Sequence, residues 1–365
     1  MCLFITICAR VMRRLEVTMK KLVSLLLVLA LAVTFTAGCG SKSTETAAET
    51  NTASANSGDA VKTGLAVISS VENSADAGDK DGYAQTDSVA VAVTVDKDGK
   101  IVKCVIDAAQ TKINFSKEGK ILSDLKAEYK SKQELGKDYG MIKASKIKKE
   151  WNEQADAFAA FVTGKTLAEI KGIAVNEEGI AADAELASSV TIHITDYVAA
   201  VEKAVNNAKD LGAKANDKLG IAIETNIENS KDAGEKDGLA QAYSTYAAAT
   251  FDGTGKITSC LIDASQSDVT FSKEGKITSD LKAALQTKVE LGEGYGMKKA
   301  SKIGKEWFEQ VEAFSKYVTG KSVDEVKGIA VNEEGVPTEA ELTSSVTIHI
   351  SDFTKIIEKA SKTAR

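Results

Sequence analysis

Apolar and polar positions alternate along this chain in blocks that change period. Ser88 to Gln110 reads as small and β-branched residues running into the turn Asp96-Lys97-Asp98-Gly99 and out again, the pattern of a β-hairpin. Ser244 to Gln266 repeats it through Asp252-Gly253-Thr254-Gly255. Farther on the period lengthens: Trp151, Ala155, Phe158 and Val162 share one face of a helix, as do Trp307, Val311, Phe314 and Val318. Gly164 and Gly320 close these helices. Thr166 with Glu169, and Ser322 with Glu325, carry the capping-box spacing of a short second helix. Val190, Ile192 and Ile194 then alternate with Thr191, His193 and Thr195, predicting a half-buried strand, and Asp196 and Asp352 start a last helix in each copy. A further helix is expected around Leu122 to Leu135.

Every one of these features occurs twice at one offset. Thr191 and Thr347, Cys104 and Cys260, and Trp151 and Trp307 all lie 156 residues apart, with no insertion or deletion between the copies. So long a period belongs to a duplicated domain and not to a solenoid. The expected fold is α+β: two tandem homologous domains, at residues 63–212 and 213–365, each a small antiparallel sheet packed by helices. The few aromatics and many alanines predict that helices cover each sheet closely, and the short link between copies predicts that the domains pack together.

Residues 1–38 read as an export signal: basic residues up to Lys21, an apolar run from Leu22 to Phe35, and small residues before Cys39. Met19, directly before Lys20 and Lys21, is the more typical start. Residues 39–62, rich in Ser, Thr, Ala and Asn, cannot bury enough apolar surface to order themselves and are expected to be a tether with a reach of roughly 25 Å. Removing the leader, with its five basic and one acidic residue, takes the net charge from −6 to −10. An acidic chain without basic clusters is a poor nucleic-acid binder.

Cys2 and Cys8 fall in the leader, which leaves Cys104 and Cys260 in the folded part, each expected to be buried beside Ile106 or Ile262. No CxxC or His-rich spacing points to a metal, and the lone His193 and His349 read as structural. The loop through Gly292, Gly294 and Gly296, with Tyr295 at its centre, has neither P-loop nor dinucleotide spacing; it reads as a tight turn or as the edge of a pocket. No residue is assigned to proton transfer or nucleophilic attack.

Two resemblances give these patterns a functional direction. Thr36-Ala37-Gly38-Cys39 resembles the lipobox of bacterial lipoproteins, which implies cleavage before Cys39, lipid on its thiol and anchoring at the extracytoplasmic side of the cell membrane. The hairpin around Asp96 to Gly99, followed at a distance by Ser188-Ser189-Val190-Thr191 and a helix, resembles the FMN-binding domain of sodium-pumping NADH:quinone reductases, Rnf-type complexes and extracellular electron-transfer lipoproteins. In that family the last threonine of a DxxSGAT segment is esterified to the FMN phosphate. The resemblance places the acceptor on Thr191 and Thr347, the motif serine on Ser188 and Ser344, and the motif glycine on Ser189 and Ser345; Glu185 and Glu341 stand for its aspartate. It implies FMN, covalent or noncovalent, electron transfer at the outer face of the membrane, and a redox partner protein or quinone-linked reductase. A noncatalytic ligand-binding or envelope-interaction lipoprotein on the same scaffold is the alternative.

Overall fold

The computed structural model describes residues 58–365; the leader, Cys39 and most of the tether lie outside the described residues. In the first half, β1 (Ala60–Ser70), β2 (Gly82–Val95) and β3 (Ile101–Phe115) are followed by α1 (Lys132–Leu135), α2 (Trp151–Val162), α3 (Leu167–Lys171), α4 (Ala184–Ala187) and α5 (Thr195–Asn206). After the linking strand β4 (Lys209–Lys214), the second half repeats the series as β5 (Lys218–Asn226), β6 (Gly238–Phe251), β7 (Ile257–Phe271), α6 (Lys288–Leu291), α7 (Trp307–Val318), α8 (Val323–Lys327), α9 (Ala340–Thr343) and α10 (Ser351–Thr363). Both sheets are antiparallel, ordered β3-β2-β1-β4 and β5-β6-β7, so the fold is α+β in two similar halves. Strand β4 bridges the expected boundary at 212/213 and pairs with β1, Thr63 opposite Lys209. In the second half Arg365 exchanges both backbone hydrogen bonds with Leu219 at the matching place.

Each sheet buries two faces. Val91, Val93, Cys104 and Ile106 face the helices, where Trp151, Phe158, Ile194 and Val201 cover them. Alternation sends Ala90, Ala92 and Val105 to the opposite face, against Leu219, Ile221, Tyr246 and Ala248 of the other sheet. Four layers result: helices, sheet, sheet, helices. Helices therefore cover only one face of each sheet; the alanines at 90, 92 and 248 serve close sheet-to-sheet approach.

The two halves meet about an internal pseudo-twofold axis. Phe115 stacks on its counterpart Phe271 with ring centroids 4.2 Å apart and planes within 5°. Around them the contacts come in reciprocal pairs: Ala77 N–H donates to Gly275 O and Ala233 N–H to Gly119 O, at 2.8 and 2.7 Å. Ile277 N–H donates to Asp76 and Ile121 N–H to Asp232, both at 2.8 Å. This is the isologous geometry of a symmetric dimer, built within one chain.

Two local expectations are corrected. The stretch expected to be helical from Leu122 to Leu135 is helical only at Lys132–Leu135, where Ser131 caps it with Glu134. Leu122 and Leu125 are exposed and have no apolar face to cover, so the preceding residues run as turns. The stretch from Val190 to Ile194 forms no strand, and its burial does not alternate: Val190 and Ile194 are fully enclosed while Thr191 and Ile192 are both half-buried. Its single ladder contact is the bridge between His193 and Ile180, because it crosses between α4 and α5 with no sheet edge beside it.

Candidate functional site

The Ser-Ser-Val-Thr turns sit between α4 and α5 and between α9 and α10. In the first, Leu186, Val190 and Ile194 anchor the segment in the core, and Ile192 packs against its edge. Ser188 is exposed, and Ser189 and Thr191 are half-buried. Ser344, Ser345 and Thr347 repeat this burial.

A buried glutamine, unassigned from the sequence, holds each turn. Gln154 on α2 is fully enclosed and accepts from Thr191 N–H at 2.8 Å and from Thr191 Oγ1 at 3.2 Å. Its Nε2 donates to Ser145 Oγ and Lys149 O, each at 3.2 Å. Gln310 makes the same contacts to Thr347, Ser301 and Lys305. One side chain thus ties the helix, the loop before it and the turn, with its polar atoms satisfied. The signal was legible: Gln154 and Gln310 interrupt the apolar stripes begun by Trp151 and Trp307. Each helix also starts on a nearly buried glutamate. Glu150 accepts from Met141 and Ile142 N–H, and Glu306 from Met297 and Lys298 N–H.

As folded, these turns do not fit a flavin phosphate. Ser189 and Val190 N–H both donate to Leu186 O, Ser188 N–H to Ala184 O, and Thr191 N–H to Gln154. The second turn is closed likewise, with Ser344, Ser345 and Val346 N–H on Leu342 O. The serine hydroxyls point back as well, Ser188 to Glu185 O and Ser189 to Leu186 O. Neither Ser189 nor Ser345 takes the positive φ that a motif glycine permits; Lys148 is the one non-glycine that does among the described residues. The four backbone donors of each Ser-Ser-Val-Thr turn are thus taken within the protein.

A polar and aromatic cluster packs at the start of α7. Lys288 is buried with its Nζ 4.6, 4.7 and 5.2 Å from the ring centroids of Tyr243, Tyr295 and Trp307. Burial pulls its pKa down to about 8, with the Asp263 charge acting against the shift. Asp263 and its counterpart Asp107 are pushed up to about 6 and 7 by burial, although a nearby hydroxyl and two backbone N–H groups favour their charged forms. Tyr295 belongs to a pair of tight 3-10 turns hinged at Gly296, φ 77°, and contributes to this packing. Cys104 and Cys260 are free and buried as expected, and burial pushes both thiols up to about 12. The histidines are exposed; His349 Nδ1 lies 3.0 Å from Glu334 O. Among the described residues no group of three or more His, Cys, Asp or Glu is placed to hold a metal ion, and no helix is long and apolar enough to cross a membrane.

Comparison with known proteins gives little to set beside this geometry. No family model matches the chain, and no solved structure matches it. A protein described as chlorophenol reductase, from Desulfitobacterium hafniense, is 48% identical over 42 residues, which is 12% of this chain and 13% of that protein. So short a span carries no activity across.

Proposed function

We propose that the protein is a lipid-anchored extracytoplasmic lipoprotein that has kept a duplicated FMN-binding-domain-like scaffold and acts by binding, without flavin on its turns. What carries this reading is the state of the two Ser-Ser-Val-Thr turns, whose backbone donors are committed within the protein in both halves. The lipobox-like Thr36 to Cys39 supports the anchor, and the tether-like composition that follows supports a position just off the membrane.

Electron transfer at the outer face of the membrane, by FMN esterified to Thr191 or Thr347, is the second reading. Its support is the matched placement of two half-buried threonines just before the last long helix of each half. It requires each hydroxyl to leave its glutamine. One experiment separates the two: residues 40–365 are exported from a host that also makes a flavin transferase, then examined by absorbance and intact mass. A colourless protein of unmodified mass supports the binding reading. A yellow protein whose added mass disappears in the Thr191→Ala/Thr347→Ala variant overturns it in favour of electron transfer. For the anchor, Cys39→Ala is expected to move the full chain from the detergent phase to the soluble fraction; retention in the detergent phase contradicts the assignment.

A further inference from the structure

The duplication creates two equivalent crevices where the halves meet, and the sequence has treated them differently. One is a cavity of about 790 Å³, the other of about 270 Å³. Leu65, Leu261 and Glu290 line the first, and their counterparts Ile221, Val105 and Glu134 line the second. In the small crevice Gln133 donates to Ile106 O and to Asp156, each at 3.0 Å, and the Arg365 guanidinium reaches Asp156 at 2.5 Å. That polar bridge closes it.

The large crevice keeps the two charges, Glu312 at the place of Asp156 and Lys209 at that of Arg365, but no ion pair joins them. Val289 stands where Gln133 stands, Phe308 replaces Asn152, and Lys209, at the place of Arg365, leads into β4. Ser315 replaces Ala159, with its Oγ enclosed beside the Cys260 thiol. Lys203, Lys209 and Lys316 at the edge face Asp210, Glu290 and Glu312, and the fourth carboxyl, Asp263, accepts from the backbone N–H groups of Ala264 and Val289, so no unmatched cation is offered to an acidic ligand. The volume lies in the range of drug-sized ligand sites.

We propose that the large crevice is a binding site for one neutral, mostly apolar, ring-bearing small molecule, which packs on Phe308, Val289 and Leu261. The site goes beyond the function proposed above and is independent of whether the turns carry flavin.

The test uses residues 40–365, which contain every core cluster described, and the uncharged fluorescent probe N-phenyl-1-naphthylamine. Saturable brightening at one probe per chain is expected. The variant Val289→Gln/Phe308→Asn, which writes the small crevice's residues into the large one, is expected to weaken binding at least tenfold with unchanged far-UV circular dichroism. Should that variant not fold, Leu261→Trp is expected to abolish binding by filling the space. No saturable binding, more than one probe per chain, or binding unchanged in the folded variants overturns the site. Palmitate binding with the neutral probe excluded overturns the ligand class.

Discussion

Gln154 and Gln310 show what one polar residue on an apolar stripe can decide. Each is fully enclosed and satisfies a turn, a loop and a helix end at once. Gln154→Leu keeps the volume but strands Thr191 N–H, and is expected to cost about 1–3 kcal/mol by urea unfolding. The buried carboxyls give a pH signature at the same scale. An Asp whose folded pKa of 6 to 7 exceeds its unfolded value of about 3.9 binds more protons when folded than when unfolded. The stability it contributes is full below pH 4 and lost as pH rises through 6 to 7. Asp107→Asn/Asp263→Asn is therefore expected to flatten the fall in urea midpoint between pH 4 and pH 7 relative to wild type; an unchanged slope contradicts the assignment.

Among the elements, two glycines set how closely helices approach sheets. A Cβ on Gly64 of β1 would lie 2.0 Å from Ala204 O of α5, and one on Gly220 of β5 would lie 1.9 Å from Ala360 O of α10. The obstacle is backbone in both cases, so the helix as a whole must shift. Gly64→Ala and Gly220→Ala are each expected to lower stability by about 2 kcal/mol or more in denaturant titrations. Element type followed sequence wherever a period ran long enough. The hairpins, the Trp151 and Trp307 helices, and the capped helices at Thr166 and Ser322 are all present. The stretch from Val190 to Ile194 shows the limit of the method. Apolar residues at every second position make a strand only where a neighbouring strand edge takes up the backbone hydrogen bonds.

For the whole molecule, the pseudo-twofold axis makes each half the other's fourth layer. Residues 213–365 alone would expose Leu219, Ile221, Ile223, Tyr246 and Ala248, which are buried against the first half. This half is expected to associate into a twofold dimer that restacks Phe271 on its own copy, and sedimentation would detect it. A well-folded monomer would mean that the sheet-to-sheet contact is dispensable. Where the halves differ is equally informative: Tyr246 reaches across to Ser88 while Ala90 fills its matched place, and one crevice is bridged while the other is open.

The sequence by itself determined the duplication, the hairpins and long helices, and the burial of Cys104 and Cys260, because these rest on periodicity and on an exact 156-residue offset. It also marked the two threonine turns as the stretches to inspect. Only the tertiary structure decided what those turns can offer, since whether an N–H is free depends on Gln154 and Gln310, each 37 residues earlier in the chain. The same is true of the alanine face. Alternation shows that a second face is apolar but not what covers it, and that came from another sheet more than a hundred residues away. The open crevice is a property of two surfaces in contact, and no local pattern in either half contains it.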